Sequence, residues 1–465
     1  MQSKIFIVVI ILLFIGNELS AKITLATIFS DNMVLQQQTN VLIWGKSDQK
    51  KVVSIHPSWS QQSYSATPDQ TGFWKVRIET PSAGGPFDLK VSDGDELVFK
   101  NILIGEVWLC SGQSNMDIPM GGVPNIVIIK DANSTIIRSK NNQLRLFTVG
   151  YSPSTAVDDK YLNAWHLASP QTVSRFSAVG YQFGKQLQEV LGVPVGIIKC
   201  AKSGTKIESW MSEKLLQDEF NIPKLSASTN NAKTSELYNN MIMQIMGYGI
   251  KGVLWYQGEG NHTAYELYSK ELPAMVNEWR SNWGIGNFPF YFVQLAPFNT
   301  KNNKHPYMRQ AMAECMKVIP NSGVVLLTDA GEENNIHPMD KKVVADRFLY
   351  WALAKTYNMK GFGFCGPIYK YLEIKGKEIT VKFDYAETGL TTFGKELLNF
   401  EIAGEDTIYV QANAKITKEG VLVWNDAIKQ PIAVRYAFKD FVVGELFNYH
   451  GLPASTFQTI NKIKD

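Results

Sequence analysis

Between about residues 102 and 356, strand-like apolar runs alternate with helical stretches, and this alternation narrows the possible folds more than any other feature. The runs are ILIGEVWLC (102–110), PVGIIKC (194–200), KGVLWYQ (251–257), FPFYFVQLA (288–296) and GVVLLTD (323–329). Between and after them lie segments that read as helix: Gly180–Leu191, closed by Gly192 and Pro194; Tyr265–Trp283; Tyr307–Val318; and Lys341–Tyr357, with Asp340 as N-cap. Parallel neighbours need a crossover, and a crossover helix buries its apolar stripe on the sheet. The expected fold class is therefore α/β, with a parallel sheet sandwiched by helices. Residues 22–101 and 358–465 pattern differently. Short apolar segments such as NVLIWG, GFWKVRIE, EITVKF and GVLVWN sit between Asp, Asn, Gly and Pro, the pattern of a β-sandwich. The expected division is residues 22–101, 102–357 and 358–465, behind an N-terminal segment 1–21.

That N-terminal segment bears on destination. Lys4 precedes an unbroken apolar run, Ile5–Gly16, and small Ser20 and Ala21 come after it. The run is short of the ~20 residues a membrane span needs and has the layout of a secretory signal. The first cysteine is Cys110, so an N-terminal lipid-bearing cysteine is excluded, and no other window suits a membrane helix. The expectation is a secreted or periplasmic protein. Charge excludes another class. The chain carries 46 Lys+Arg against 43 Asp+Glu, a net charge of +3, without a basic cluster to meet nucleic acid. Four cysteines make no disulfide scaffold, and Cys110 and Cys200, each at a strand end, read as small buried hydrophobes.

Ligands of open parallel sheets sit beyond the carboxyl ends of the strands. The segments leaving these runs are rich in Gly, Ser, Asn and Gln: Ser111–Met116 after the first, Ala201–Thr205 after the second, Gln257–Asn261 after the third, and Asp329 then Asn334–Pro338 after the last. Backbone N–H groups and neutral amides suit a developing oxyanion rather than a phosphate or a metal. Ser114, two residues after Gly112, is the candidate nucleophile. Six histidines are available as base: His56, His166, His262, His305, His337 and His450. His337, in the loop after the last strand and stiffened by Pro338, is preferred, and His262 beside Asn261 is the rival. The histidines are scattered and no cysteines pair closely, so no metal site is expected. No nucleotide-binding glycine loop is found, so no cofactor is expected either.

The segments GEVWLCSGQSNMDIPM (105–120), VPVGIIKCAKSGTKIESWM (193–211), GVLWYQGEGN (252–261) and IHPMDKKVVADR (336–347), with VRYAF and LFNYHGLPASTF near the C-terminus, resemble the sialate O-acetylesterase family. That family is a carbohydrate-esterase branch of the SGNH hydrolases, and the resemblance covers nearly all of the chain after the leader. It implies a flavodoxin-like sheet, Ser114 as nucleophile and His337 as base. It also implies oxyanion donors from the Ser114 and Gly204 backbones and from the loop after WY. The superfamily's Gly-x-Asn-Asp is here Gly258-Glu259-Gly260-Asn261, so Asn261 is the first candidate donor and Gln257 the second. Superfamily relatives often carry Asp three residues before the histidine; here that residue is Asn334. The Asn334 carbonyl, Asp329 or Glu333 is left to orient the imidazole. Gln113, Glu259 and Arg309 complete the expected site as sugar contacts, Arg309 for a carboxylate. The foremost functional expectation is removal of O-acetyl groups from sialic acid at its glycerol side chain, through an acetyl-serine. The same chemistry on plant or bacterial polysaccharide is the alternative, and a sugar-binding protein without catalysis is the third.

Overall fold

The computed structural model describes residues 23–47, 51–151, 161–223 and 233–460, so the leader-like segment 1–21 lies outside the described residues. Its centre is a sheet of seven strands: β1 (Glu96–Gly112), β2 (Asn141–Thr148), β3 (Trp165–Ala168), β4 (Val195–Ala201), β5 (Gly252–Tyr256), β6 (Phe290–Val293) and β7 (Ser322–Val325). They lie in the order β3-β2-β4-β1-β5-β6-β7. All neighbours are parallel except the edge pair β3–β2. The five apolar runs supply β1, β4, β5, β6 and β7. The β2–β3 edge was not anticipated, because Asn141–Thr148 opens on the polar stretch NNQ.

The helices that cover the sheet or carry the site are α1 (Ser114–Asp117), α2 (Ala178–Leu191), α3 (Tyr265–Trp283), α4 (His305–Val318) and α5 (Lys341–Trp351). Gly192 ends α2 in the left-handed conformation, and the Asp340 carboxylate accepts from Val343 N–H at the start of α5. Consecutive strand residues face opposite sides of a sheet, and β6 shows how this seats the helices. Tyr291 packs on Trp108 and on Trp351 of α5. Its neighbour Phe290 packs on Trp255 and on Trp279 of α3. The sheet is thus covered on both faces. Among the described residues no helix is long and apolar enough to cross a membrane.

Strand β1 ties the N-terminal region to this sheet. Its first half pairs with Gly84–Ser92 and with Val34–Gln36. Its second half lies between β4 and β5. Residues 101 and 102, where the sequence pattern changes, are therefore inside one strand. The N-terminal strands and the central sheet share one apolar core. A second core lies in the C-terminal region. There, Ile379, Val381, Val421 and Val423 of one four-stranded antiparallel sheet face Phe400, Ile402, Val434 and Phe457 of another.

Candidate active site

Strand β1 is the middle of the sheet, and its two neighbours are reached by chain running in opposite directions. Its carboxyl end is the switch point, where such sheets open a crevice. Ser114 stands there. Gly112 pairs with Tyr256 across β1–β5 at a φ of +135°, and a Cβ on it would lie 2.1 Å from the Tyr256 carbonyl oxygen. Only glycine allows β5 to approach so closely while the chain turns out of the sheet. Ser114 then opens α1, mostly buried, and its backbone N–H is a first-turn donor without an intrahelical acceptor.

His337 reaches the same point from the far side of the sheet. Its Nε2 lies 2.9 Å from Ser114 Oγ. The loop that carries it is self-braced. Glu332 accepts from Asn335 Nδ2 at 2.9 Å and from Met339 N–H at 2.7 Å, and Asn335 Oδ1 accepts from His337 N–H at 3.0 Å. Partial burial, with the positive charge of Lys341 nearby, holds the imidazole below its ordinary pKa. The ring is thus neutral near pH 7, the state a general base requires.

None of the three expected orienting groups meets His337 Nδ1. Asp329 is taken up in a two-bond pair with Arg347, at 2.8 and 2.7 Å. Glu333 and the Asn334 carbonyl make no hydrogen bond to the ring among the described residues. Among the described residues the arrangement is a Ser–His pair without an acid. His262 is not part of it: its Nδ1 lies 2.8 Å from the Glu259 carbonyl and its Nε2 2.9 Å from Asn302 Nδ2.

The other two loops are bound to the turn that carries Ser114. Lys202 N–H donates to the Gly112 carbonyl at 3.0 Å. Asp117, at the end of α1, accepts from Lys199 Nζ and from Ser203 Oγ, both at 3.0 Å. These contacts hold the turn at Gly204, whose φ is +72°. In the third loop, Gln257 Nε2 faces three acceptors, Gln113 Oε1, the Thr205 carbonyl and Asn261 Oδ1, at 2.9–3.1 Å. Its two hydrogens are therefore committed. Asn261 Nδ2 donates one hydrogen to Glu208 Oε2 at 2.8 Å, and its Oδ1 also accepts from Ile207 N–H. Of the two amides, Asn261 is the one with an N–H uncommitted among the described residues.

Three expected sugar contacts are engaged within the protein instead. Gln113 Oε1 accepts from the N–H groups of Gly258 and Gly260 as well as from Gln257, which makes Gln113 a clamp between loops. Glu259 is buried and accepts from Asn115 Nδ2 at 2.5 Å. Arg309 corrects the expectation most clearly. It is fully buried, and it donates to Thr456 Oγ1 and to the carbonyls of Ala437, Lys439 and Asp440. Its position at the start of α4 points it into the C-terminal region, where turn carbonyls need donors. Conversely, Asn115, Asp117 and Lys341 brace the site without having been singled out. Asn115 and Asp117 stand beside Ser114 in the SGQSNMD run, and Lys341 in IHPMDKK, so their nearness in sequence to Ser114 and His337 was the available signal.

Comparison with known proteins bears on the family. The profile of the family described as "Carbohydrate esterase, sialic acid-specific acetylesterase" matches residues 104–344. The chain is 25% identical to mouse sialate O-acetylesterase over 93% of its own length and 92% of the relative's. It is 28% identical to the human protein of that name, over 75% and 74% respectively. The crystal structure of a carbohydrate acetylesterase from Xanthomonas citri superposes with a TM-score of 0.83 at 31% identity, covering 95% of this chain and all of that one. The chain belongs to the sialic acid-specific acetylesterase family of carbohydrate esterases.

Proposed function

We propose that this carbohydrate esterase removes O-acetyl groups from sialic acid, foremost from the glycerol side chain, through an acetyl-Ser114 intermediate. The observation that carries the reading is the 2.9 Å contact between Ser114 Oγ and His337 Nε2 at the sheet's switch point. The Ser114 oxygen attacks the acetyl carbonyl carbon as its proton passes to His337 Nε2. The tetrahedral oxyanion is met by the N–H groups of Ser114 and Gly204 and by the Asn261 amide. Each such donor is typically worth ~10²–10³ in rate. The bond to the sugar oxygen then breaks, and that oxygen takes the proton from His337. Water, activated by the same imidazole, releases acetate and restores Ser114.

The names of the mouse and human relatives support the sialate substrate. So do Lys202 and Lys206, exposed on either side of Gly204 and suited to an acidic sugar. One observation favours the alternative, a neutral acetylated polysaccharide: the arginine expected for a carboxylate is buried elsewhere. The leader-like segment, with its apolar run Ile5–Gly16, supports export to the periplasm or the medium.

Acetate release from 9-O-acetylated sialic acid and from acetylated xylan tests the reading. The wild type is expected to act on the first, with Ser114→Ala slower by at least ~10³. Its kcat/KM should rise with pH through a midpoint below the ordinary histidine value of about 6.5, because the neutral imidazole is the working form. Release mainly from xylan would move the substrate while keeping the chemistry. Equal rates in wild type and Ser114→Ala would overturn both.

A further inference from the structure

Beneath the reacting pair lies a buried line of polar groups that the chemistry above leaves without a task. Asn115, the residue after the nucleophile, has every polar atom of its side-chain amide engaged. Nδ2 donates to Glu259 Oε1 at 2.5 Å and to the Ile336 carbonyl at 3.1 Å, and Oδ1 accepts from Lys341 Nζ at 2.5 Å. Ile336 is the residue before His337. One side chain therefore joins the turn that carries Ser114 to the loop that carries His337. Lys341 is the first residue of α5, so the amide is in turn pinned to a helix.

Lys341 is 1% exposed. No carboxylate lies within salt-bridge reach of its Nζ among the described residues; Glu259 is reached only across the Asn115 amide. Burying an ammonium in this way is destabilising, and an apolar side chain of similar length would pack there more favourably. Fold stability alone therefore gives no reason for a lysine at this place.

We propose that Lys341 is a positioning residue of the esterase: by way of Asn115 it sets the placement of Ser114 against His337, in a site where no acid among the described residues holds the imidazole. This rests on the assignment of Ser114 and His337 made above. The charge of Lys341 has a second effect, since it disfavours the imidazolium and keeps His337 in its basic form further into the acid range. The charged groups that act on Lys341 are Glu259, from the loop after β5, and Glu332, from the histidine's own loop. Burial draws the Lys341 ammonium itself down to about 7, against the pull of both carboxylates.

Two substitutions separate the hydrogen bond from the charge. Lys341→Met removes both, whereas Lys341→Gln keeps a donor for Asn115 and removes the charge. With O-acetylated sialic acid, Lys341→Met is expected to lose kcat by at least ~10-fold while KM stays within about threefold, the mark of a group that acts on the reaction rather than on binding. Lys341→Gln should retain more of kcat. In both, the acid midpoint of kcat/KM should move up by about half a pH unit or more as the neighbouring charge disappears. Lys341→Arg, which keeps charge and donor, should hold the wild-type midpoint. An unmoved midpoint in folded Lys341→Gln would overturn the proposal, and so would wild-type kcat in Lys341→Met. If Lys341→Met does not fold, Lys341→Gln decides. Ser114→Ala in the same assay judges the underlying assignment separately, because its turnover must fall by at least ~10³ whatever Lys341 does.

Discussion

Glu271 shows how far a single side chain can depart from its ordinary chemistry. It lies on α3, fully buried, and neither carboxylate oxygen has a hydrogen-bond partner among the described residues. Burial, with Glu208 as a like-charged neighbour, pushes it up to about 8. At neutral pH it is therefore a neutral acid. Glu208 is the group that accepts from Asn261 Nδ2, so a charge on Glu271 would repel the carboxylate that holds that amide. This fixes the sign of the pH effect. A carboxyl group raised in the folded state contributes stability that is complete below its unfolded value of about 4.5 and is lost as pH rises through about 8. Glu271→Gln removes that dependence. Its stability relative to wild type should grow from pH 4.5 to 8 and stay level above, reaching on the order of a few kcal/mol. Urea unfolding of both proteins at several pH values measures this; a difference constant across the window would mean that Glu271 is not held neutral. Ser114 and His337 were legible as residues because each comes after a strand run at the sheet edge where ligands bind. Asn115 and Lys341 were not. Their roles come from contact between positions 226 residues apart.

At the scale of elements, the turn after β1 is the piece on which the site depends. Gly112 combines a left-handed backbone with an approach to the Tyr256 carbonyl that leaves no room for a Cβ. Gly112→Ala is expected to cost roughly 3 kcal/mol or more, through strain at that φ and separation of β1 from β5. It should also lower acetate release by more than it lowers the folded fraction, because Ser114 moves with the turn. Urea unfolding paired with kinetics checks both, and an Ala variant with wild-type stability and rate would show that the close approach can relax. Element type was well legible here. The four expected helices all formed, with ends within two residues except for the last. Lys341–Tyr357 becomes α-helix to Trp351 and a wider π-helical turn over Ala352–Thr356. The β2–β3 edge escaped notice because its strands are exposed at one margin and their apolar residues do not alternate cleanly.

The whole molecule is held by contacts that cross its regions. Arg309 brings three backbone carbonyls and a hydroxyl of the C-terminal region onto α4. Gln294, beyond β6, adds a bond from its Nε2 to Ser455 Oγ at 2.8 Å. Replacing Arg309 with Met leaves those carbonyls buried and unpaired, so unfolding should become easier by roughly 3–5 kcal/mol. Amide exchange across residues 437–440 should accelerate. KM for O-acetylated sialic acid should stay within about threefold, since Arg309 does not reach the crevice. A large rise in KM with unchanged stability would restore it as a sugar contact. All four cysteines are buried free thiols, which makes cross-region polar contacts of this kind, and not disulfides, the ties between the two cores.

Local pattern sufficed for the five inner strand runs and the four long helices, for their parallel arrangement, and for the loops that gather at the carboxyl edge. Periodicity, caps and glycine positions are written locally and survive in any tertiary setting that buries the apolar faces. The pairing of the β-rich ends was decided elsewhere. Only the tertiary structure drew the N-terminal strands into the core of the central sheet, because one continuous strand, β1, serves both. Only the tertiary structure turned Arg309 inward, paired Asp329 with Arg347, and set Lys341 against Asn115. Charged and amide side chains take whichever partners burial leaves them, and those partners are fixed by packing between distant segments rather than by the residues beside them in the chain.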